Sequence, residues 1–390
     1  MSKVISIFVS HPTQYHAPIF RELSKNKDLI INVYYFYKNG SVKSYDEDFK
    51  KSFKWDGSLL KYYKYEFIVE QKSNNKIINI LQFLSKIKQY IKNSDAVLVL
   101  GWNNFYYLSI IFYTYISSKI LILLSENNLL KKKKFLIKKI NRIVVHIFLK
   151  FFDYFLSIGT NNKNYYLYHG VKKKNIYQTF YTVDTNFFNN FNSDFAFSKK
   201  INKKFFIKKK NFIFIWVGKF IKRKNPIEVI KAIQFLNNNN FHLFMIGSGC
   251  LLNSCCQYIK DHSINNIHLM GFKNQNQLKK FYSISNCLVL SSKYETWGLV
   301  LNEAMSSGLP CIATKSSGAV HDLIRHGSNG YIYNSGSVEQ LAINMLKISN
   351  ISNYKRLKKN ALNTIREFSL QKTVFKIFSA LNKIIHEQKK

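Results

Sequence analysis

The stretch at residues 287–333, CLVLSSKYETWGLVLNEAMSSGLPCIATKSSGAVHDLIRHGSNGYIY, constrains the fold more tightly than any other part of the chain. It opens with a short apolar run, residues 287–290, whose length and composition fit a buried parallel strand. Residues 291–297 are polar and turn-like, and from Gly298 the spacing of Leu299, Leu301, Ala304 and Met305 predicts a helix. Gly308 and Pro310 end that helix, because glycine tolerates a left-handed cap and proline cannot continue the turn. Residues 311–313 read as the next strand. The loop in this strand–loop–helix–strand unit therefore lies at the carboxyl end of a parallel strand, where open α/β sheets bind ligands.

Two carboxylates mark the unit, Glu295 in the loop and Glu303 on the helix. Their separation is slightly over two helical turns, so Glu303 points roughly the same way as the entry loop. The backbone N–H groups from Thr296 to Val300 form a helix N-terminus suited to a phosphate or a row of sugar hydroxyls. Taken as isolated residues, Glu295 also reads as an N-terminal helix charge and Glu303 as part of a solvated face.

The string Glu295-Thr-Trp-Gly-Leu-Val-Leu-Asn-Glu303 resembles the E-x7-E signature of retaining, GT-B-fold glycosyltransferases of family 4, the glycosyltransferase group 1. The sequel, Ala304 and Met305 through Gly308, Pro310 and Gly318 to Asn329 and Gly330, looks like the same family; Trp297 stands where the family usually has Phe. The resemblance runs from about Asn211 to the end of the chain, and more weakly across the N-terminal half. It implies an α/β chain of GT-B architecture, with two Rossmann-like domains facing across a cleft. Expected boundaries are an acceptor-binding domain at 1–190, a linker at 191–210, a nucleotide-sugar-binding domain at 211–368, and a helix at 369–390 crossing back to the first domain.

The second domain opens with an apolar run, residues 212–217, then Gly218, a basic loop and Pro226. Two lysines five apart, Lys219 and Lys224, can neutralise a diphosphate whose charge grows as a sugar departs. They match positions where the family usually has Arg and Lys, and lysine in place of arginine keeps the charge but loses the bidentate fork. The resemblance makes Lys219, Lys224 and Glu295 the expected catalytic residues. Glu303 would bind the ribose and Glu295 the donor sugar, and Thr296, Trp297, Gly298 and Leu299 would contribute backbone N–H groups. Gly218 and Gly247 complete the donor-binding set, and the turn Gly271-Phe272 would lie near the base. The donor is a nucleoside diphosphate sugar, and neither a cofactor nor a metal is expected.

In the first half, residues 4–9 read as a strand that delivers His11 and His16 to its carboxyl end. Either histidine could touch an acceptor sugar, handle a proton, or serve only the turn. Glu126 falls near the point where many family members place a histidine against the donor sugar. Asp46-Glu47-Asp48 forms a D-x-D, but a lysine-rich polar loop with no preceding apolar strand argues against a metal site there. Residues 105–124 are almost wholly apolar and long enough to weigh as a membrane span. The Ser117-Ser118-Lys119 break favours a buried helix followed by a strand.

The 59 Lys and Arg against 21 Asp and Glu give a formal charge of +38. Part of this fits an AT-rich coding bias; the rest draws the protein toward anionic partners. The segment from Lys131 to Arg142 is basic and amphipathic as a helix. It reads either as a surface for anionic lipid or as a solvated lysine face. No nucleic-acid module is recognisable. Five cysteines without a C-x-x-C pair and an N-terminus without a signal-peptide pattern lead to the expectation of a reduced, cytoplasmic protein, peripheral at the inner membrane face. The expected acceptor is a lipid-linked or cell-surface glycan, of lipopolysaccharide, O-antigen or capsule. Two rivals are a GT-B-fold epimerase and a non-catalytic basic protein that binds polyanions with steep salt dependence.

Overall fold

The computed structural model describes residues 2–68, 76–131, 135–189 and 195–387. In chain order it begins with β1 (Lys3–Val9), α1 (His16–Leu23), β2 (Leu29–Tyr35), the short pair β3 (Ser44–Asp46) and β4 (Lys51–Phe53), and β5 (Lys64–Phe67). Next come α2 (Lys76–Lys92), β6 (Ala96–Val99), α3 (Phe105–Ile116), β7 (Ile120–Ser125), α4 (Phe135–Leu149), β8 (Tyr154–Ile158), α5 (Gly159–Tyr168) and β9 (Ile176–Thr179). After α6 (Thr185–Asn189) and α7 (Phe195–Lys204) follow β10 (Phe212–Val217), α8 (Pro226–Leu236), β11 (Phe241–Ile246), α9 (Leu252–Asp261), β12 (Ile267–Gly271) and α10 (Gln275–Ile284). The chain ends with β13 (Cys287–Leu290), α11 (Leu299–Ser306), β14 (Cys311–Thr314), α12 (Val320–Leu323), β15 (Gly330–Tyr333), α13 (Val338–Ser349), α14 (Ile351–Arg366) and α15 (Leu370–Glu387).

The first compact unit comprises Met1–Ser44, Gly57–Tyr181 and Leu370–Lys390. Its described residues form a parallel sheet of order β5-β2-β1-β6-β7-β8-β9. Strands β6 and β7 are buried along their whole length, as continuous apolar runs in a sheet covered on both faces must be. The expected return of the C-terminal helix is present: α15 packs on α1, β8 and β9 within this unit. Ile377, Leu381, Ile384 and Ile385 recur at the helical period and are buried. The apolar run at 105–124 folds as α3, a turn with Ser118 at φ +52°, and β7. Among the described residues no helix is long and apolar enough to cross a membrane.

The second unit comprises Tyr45–Asp56 and Thr182–Ser369. Its main sheet is parallel throughout and runs β12-β11-β10-β13-β14-β15. That is the 3-2-1-4-5-6 order of a doubly wound dinucleotide-type domain. Register ties the two central strands: Ile215 lies opposite Leu288, and Leu288 opposite Cys311. Trp216, Phe214, Val289 and Ile312 fill the core on one side.

Two features differ from the expected boundaries. The interval read as a linker contains α7, anchored by the buried Ile201, and joins the second unit after Tyr181; residues 190–194 lie outside the described residues. The segment Tyr45–Asp56, far earlier in sequence, also belongs to the second unit.

Candidate functional site

The strand order of the second unit's sheet reverses between β10 and β13, and a ligand crevice in this topology opens at the carboxyl ends of those strands. The loops that leave the two strands are tied together. Trp216 Nε1 donates to Ser291 Oγ at 3.0 Å, and that hydroxyl lies 2.9 Å from the Lys224 carbonyl and 3.0 Å from that of Asn225. The Lys293 N–H donates to the Arg223 carbonyl at 2.8 Å.

Glu295 stands where the loops meet and is buried. Lys224 Nζ donates to one carboxylate oxygen, as does Ser292 Oγ at 3.2 Å, and Arg223 Nη1 donates to the other at 3.1 Å. Burial alone would raise the Glu295 carboxyl; the two cations outweigh it and hold the group below the usual carboxylate range. It is an ionised carboxylate in a buried ion cluster, not a surface helix charge. Arg223 was not singled out by sequence reasoning, because one more basic residue in a lysine-rich loop carries little signal.

Glu303 lies one helix face further on, in α11, and is only 1% exposed. Tyr282 Oη on α10 donates to its Oε2 at 2.9 Å. A solvated-face role for Glu303 is therefore corrected: α11 turns this position inward, and the carboxylate is held by a buried phenol. Between the two glutamates, Trp297 is buried and its Nε1 donates to Asn302 Oδ1 at 2.9 Å. Gly298 caps α11 at φ +105°, where an added Cβ would meet Ser317 Oγ at 2.9 Å. Backbone bonds from Gly318 and Ala319 to the carbonyls of Glu295 and Trp297 pin the loop, leaving Thr296 in its middle and Leu299 at the first helical position.

Lys219 has different partners. Its Nζ lies 3.1 and 3.2 Å from the two Asp46 oxygens, 3.0 Å from Asp48 Oδ2, and 4.8 Å above the Phe49 ring. The D-x-D stretch thus serves a lysine within the same unit. The segment is held by Ser248 Oγ donating to the Phe49 carbonyl at 2.7 Å and by Asn274 Nδ2 donating to the Lys54 carbonyl at 2.7 Å. Phe49, Phe53 and Trp55 gather around Phe272 at the end of β12. Gly218 and Gly247 are in close backbone approach beneath these loops.

The first unit brings His16 close to His11 and joins it to Glu126 through Tyr181. His16 and Glu126 leave the carboxyl ends of β1 and β7, and Tyr181 links them. Tyr181 Oη donates to Glu126 Oε1 at 2.6 Å, and its ring centroid lies 5.8 Å from that of His16. His16 Nδ1 lies 3.1 Å from Thr13 Oγ1, while Nε2 is buried without a hydrogen-bond partner among the described residues. Burial, and secondarily the neighbouring His11, lowers the His16 pKa to about 4, so the imidazole is neutral. His11 itself pairs Nδ1 with Ser10 Oγ at 2.9 Å. Sequence reasoning did not pair Tyr181 with Glu126, because the two lie 55 positions apart.

The family model "Glycosyl transferases group 1" matches residues 197–364. The N-acetyl-alpha-D-glucosaminyl L-malate synthase of Bacillus anthracis is 29% identical over 153 residues, 38% of this chain and 39% of the relative. The UDP-Gal:alpha-D-GlcNAc-diphosphoundecaprenol alpha-1,3-galactosyltransferase of Escherichia coli is 27% identical over 178 residues, 44% and 45% of the two chains. The match thus spans less than half the length of these curated relatives. Among solved structures, Anabaena HepE in complex with UDP and glucose superposes with a TM-score of 0.74 over 98% of this chain and 100% of that one, at 15% identity. The fold is GT-B, and residues 197–364, within the second unit, match the glycosyltransferase group 1 family.

Proposed function

We propose that this chain transfers a sugar from a nucleoside diphosphate sugar to a hydroxyl of a lipid-linked or cell-surface glycan, with retention at the anomeric carbon. The observation that carries the reading is the buried cluster of Glu295, Lys224 and Arg223 at the point where the sheet order reverses, with Glu303 inward on the next helix. A row of fixed cations beside buried carboxylates suits a ligand that is anionic at one end and rich in hydroxyls at the other. In this reading Glu303 accepts from the ribose hydroxyls and Glu295 from the donor sugar. Lys219, Lys224 and Arg223 face the diphosphate. As the C1–O bond to phosphate breaks, the departing diphosphate gains charge and these cations stabilise it without a metal. The acceptor hydroxyl attacks from the leaving-group side and its proton passes to a phosphate oxygen.

UDP-sugars are the first donors to test, since the Escherichia coli relative is named for UDP-Gal and a lipid diphosphate acceptor. The experiment is a thermal-shift screen against UDP-, GDP-, ADP- and CMP-sugars, with Glu303→Ala alongside. A donor at 100 times its dissociation constant adds about 2.7 kcal/mol of stability. One nucleotide class should stabilise the wild type and not the variant. A flat response to every donor, with a shift for a polyanion instead, would leave a basic binding protein; turnover of donor without acceptor would indicate an epimerase.

A further inference from the structure

We propose that the outer faces of α3 and α4 form a surface that lies on an anionic lipid bilayer. The inner side of α3 buries Tyr107, Ile110 and Ile111, as an amphipathic helix should. Its outer side is apolar too: Phe105, Leu108, Phe112, Tyr115 and Ile116 are 47–57% exposed. The helix, FYYLSIIFYTYI, carries no charged residue at all. Helix α4 repeats the pattern, with Val145 and Leu149 buried while Ile137, Ile140, Ile143, Val144 and Ile147 are 54–64% exposed.

The two helices cover the same core, and the end of α3 approaches the turn that follows α4, where the rings of Tyr115 and Phe151 lie 5.2 Å apart. Water-facing helices carry their polar residues on this side. A continuous apolar face in its place marks an interaction surface rather than scattered exposure.

Charge selects the occupant. Lys131, Lys139, Arg142 and Lys150 are exposed within or beside α4. Between residues 96 and 152 the sequence has a single acidic residue, Glu126, and Tyr181 engages it. A second copy on this face would oppose one basic rim to another, on chains that each carry +38. A bilayer with anionic headgroups satisfies both halves of the surface. Apolar side chains enter the acyl boundary, basic groups meet headgroups, and Phe105, Tyr115 and Phe151 suit the interfacial layer. The amphipathic lipid surface expected from Lys131 to Arg142 is thus the smaller part of a two-helix face; Lys132, Lys133 and Lys134 lie outside the described residues.

The test is flotation of the full chain with vesicles of phosphatidylcholine alone or with about 30 mol % phosphatidylglycerol. The wild type should float with the anionic vesicles and little with the neutral ones. Phe112→Ser with Ile143→Ser leaves the formal charge at +38, so general electrostatic attraction is unchanged. That variant should bind anionic vesicles about tenfold or more weakly, with an unaltered circular dichroism spectrum and thermal midpoint. Lys139→Gln with Arg142→Gln should erase the preference for anionic over neutral vesicles. No flotation of the wild type, or equal flotation of the serine variant, would overturn the proposal. So would a wild-type dimer in solution that the serine variant converts to monomer, since the face would then belong to a second copy.

Discussion

Lys219 Nζ lies 3.0 Å from Asp48 Oδ2 and 3.1 Å from Asp46 Oδ1, so the lysine expected to meet a diphosphate is already neutralised by two carboxylates. Any anion that uses Lys219 must compete with them. Such partly exposed pairs are each worth up to about 1 kcal/mol. Asp46→Asn with Asp48→Asn should therefore tighten binding of a nucleoside diphosphate about threefold to fivefold, measured by calorimetry at low salt. Equal or weaker binding by the variant would show that the two aspartates position Lys219 rather than occupy it.

The pair of Lys224 with Glu295 has a different energetic character, because both are largely buried. Removing one partner strands a charge in a poorly solvated place. Lys224→Met should cost about 3 kcal/mol in urea unfolding at neutral pH, somewhat less if Arg223 takes up the load. Adding Glu295→Gln should recover part of that loss, since the stranded charge is then gone. A single-variant cost below about 1 kcal/mol would mean that water reaches the pair freely.

What was legible in the sequence and what was not follows from distance along the chain. Glu295 and Glu303 could be read because one loop and one helix fix their separation, and β10, β13 and the helix between β13 and β14 have continuous local patterns. Their partners could not. Tyr282 reaches Glu303 from α10, Arg223 reaches Glu295 from beyond β10, and Asp46 reaches Lys219 across 173 positions. Such pairings are products of sheet order, which no local spacing encodes. Helix α7 was hidden for another reason: a lysine- and asparagine-rich composition looks like a linker unless the one buried isoleucine is noticed. The outer face of α3 was likewise hidden, since an apolar residue in sequence reads as core until the fold shows which way it points.

Gly247 and Gly271 separate two causes of glycine dependence. Both have positive φ, +145° and +66°, but a Cβ at Gly271 meets nothing within 4 Å, whereas one at Gly247 would run into the Gly218 carbonyl. Gly271→Ala should cost about 1 kcal/mol, the backbone term alone. Gly247→Ala should cost at least about 2 kcal/mol more, because the loop after β10 must move. Chemical denaturation of both variants measures the difference. Equal costs would mean that the Gly218 strand end yields without penalty.

His16 supplies a pH dependence whose sign is fixed by its burial. Unfolded, its imidazole titrates near the ordinary histidine value of 6.5; folded, burial and the nearby His11 lower it to about 4. Between those values the unfolded chain binds the proton and the folded chain does not, so stability must fall as pH falls through that window. The stability that His16 contributes is fully present above about pH 6.5, and its loss levels off below about pH 4 at up to about 3 kcal/mol. His16→Phe preserves the stacking on Phe20 and the tilted ring contact with Tyr181 and removes the titrating group. Unfolding free energies from pH 7 to pH 4.5 should therefore fall less steeply for the variant than for the wild type. Parallel curves would show that His16 takes up its proton in the folded chain without resistance, and that its unpartnered Nε2 is open to water.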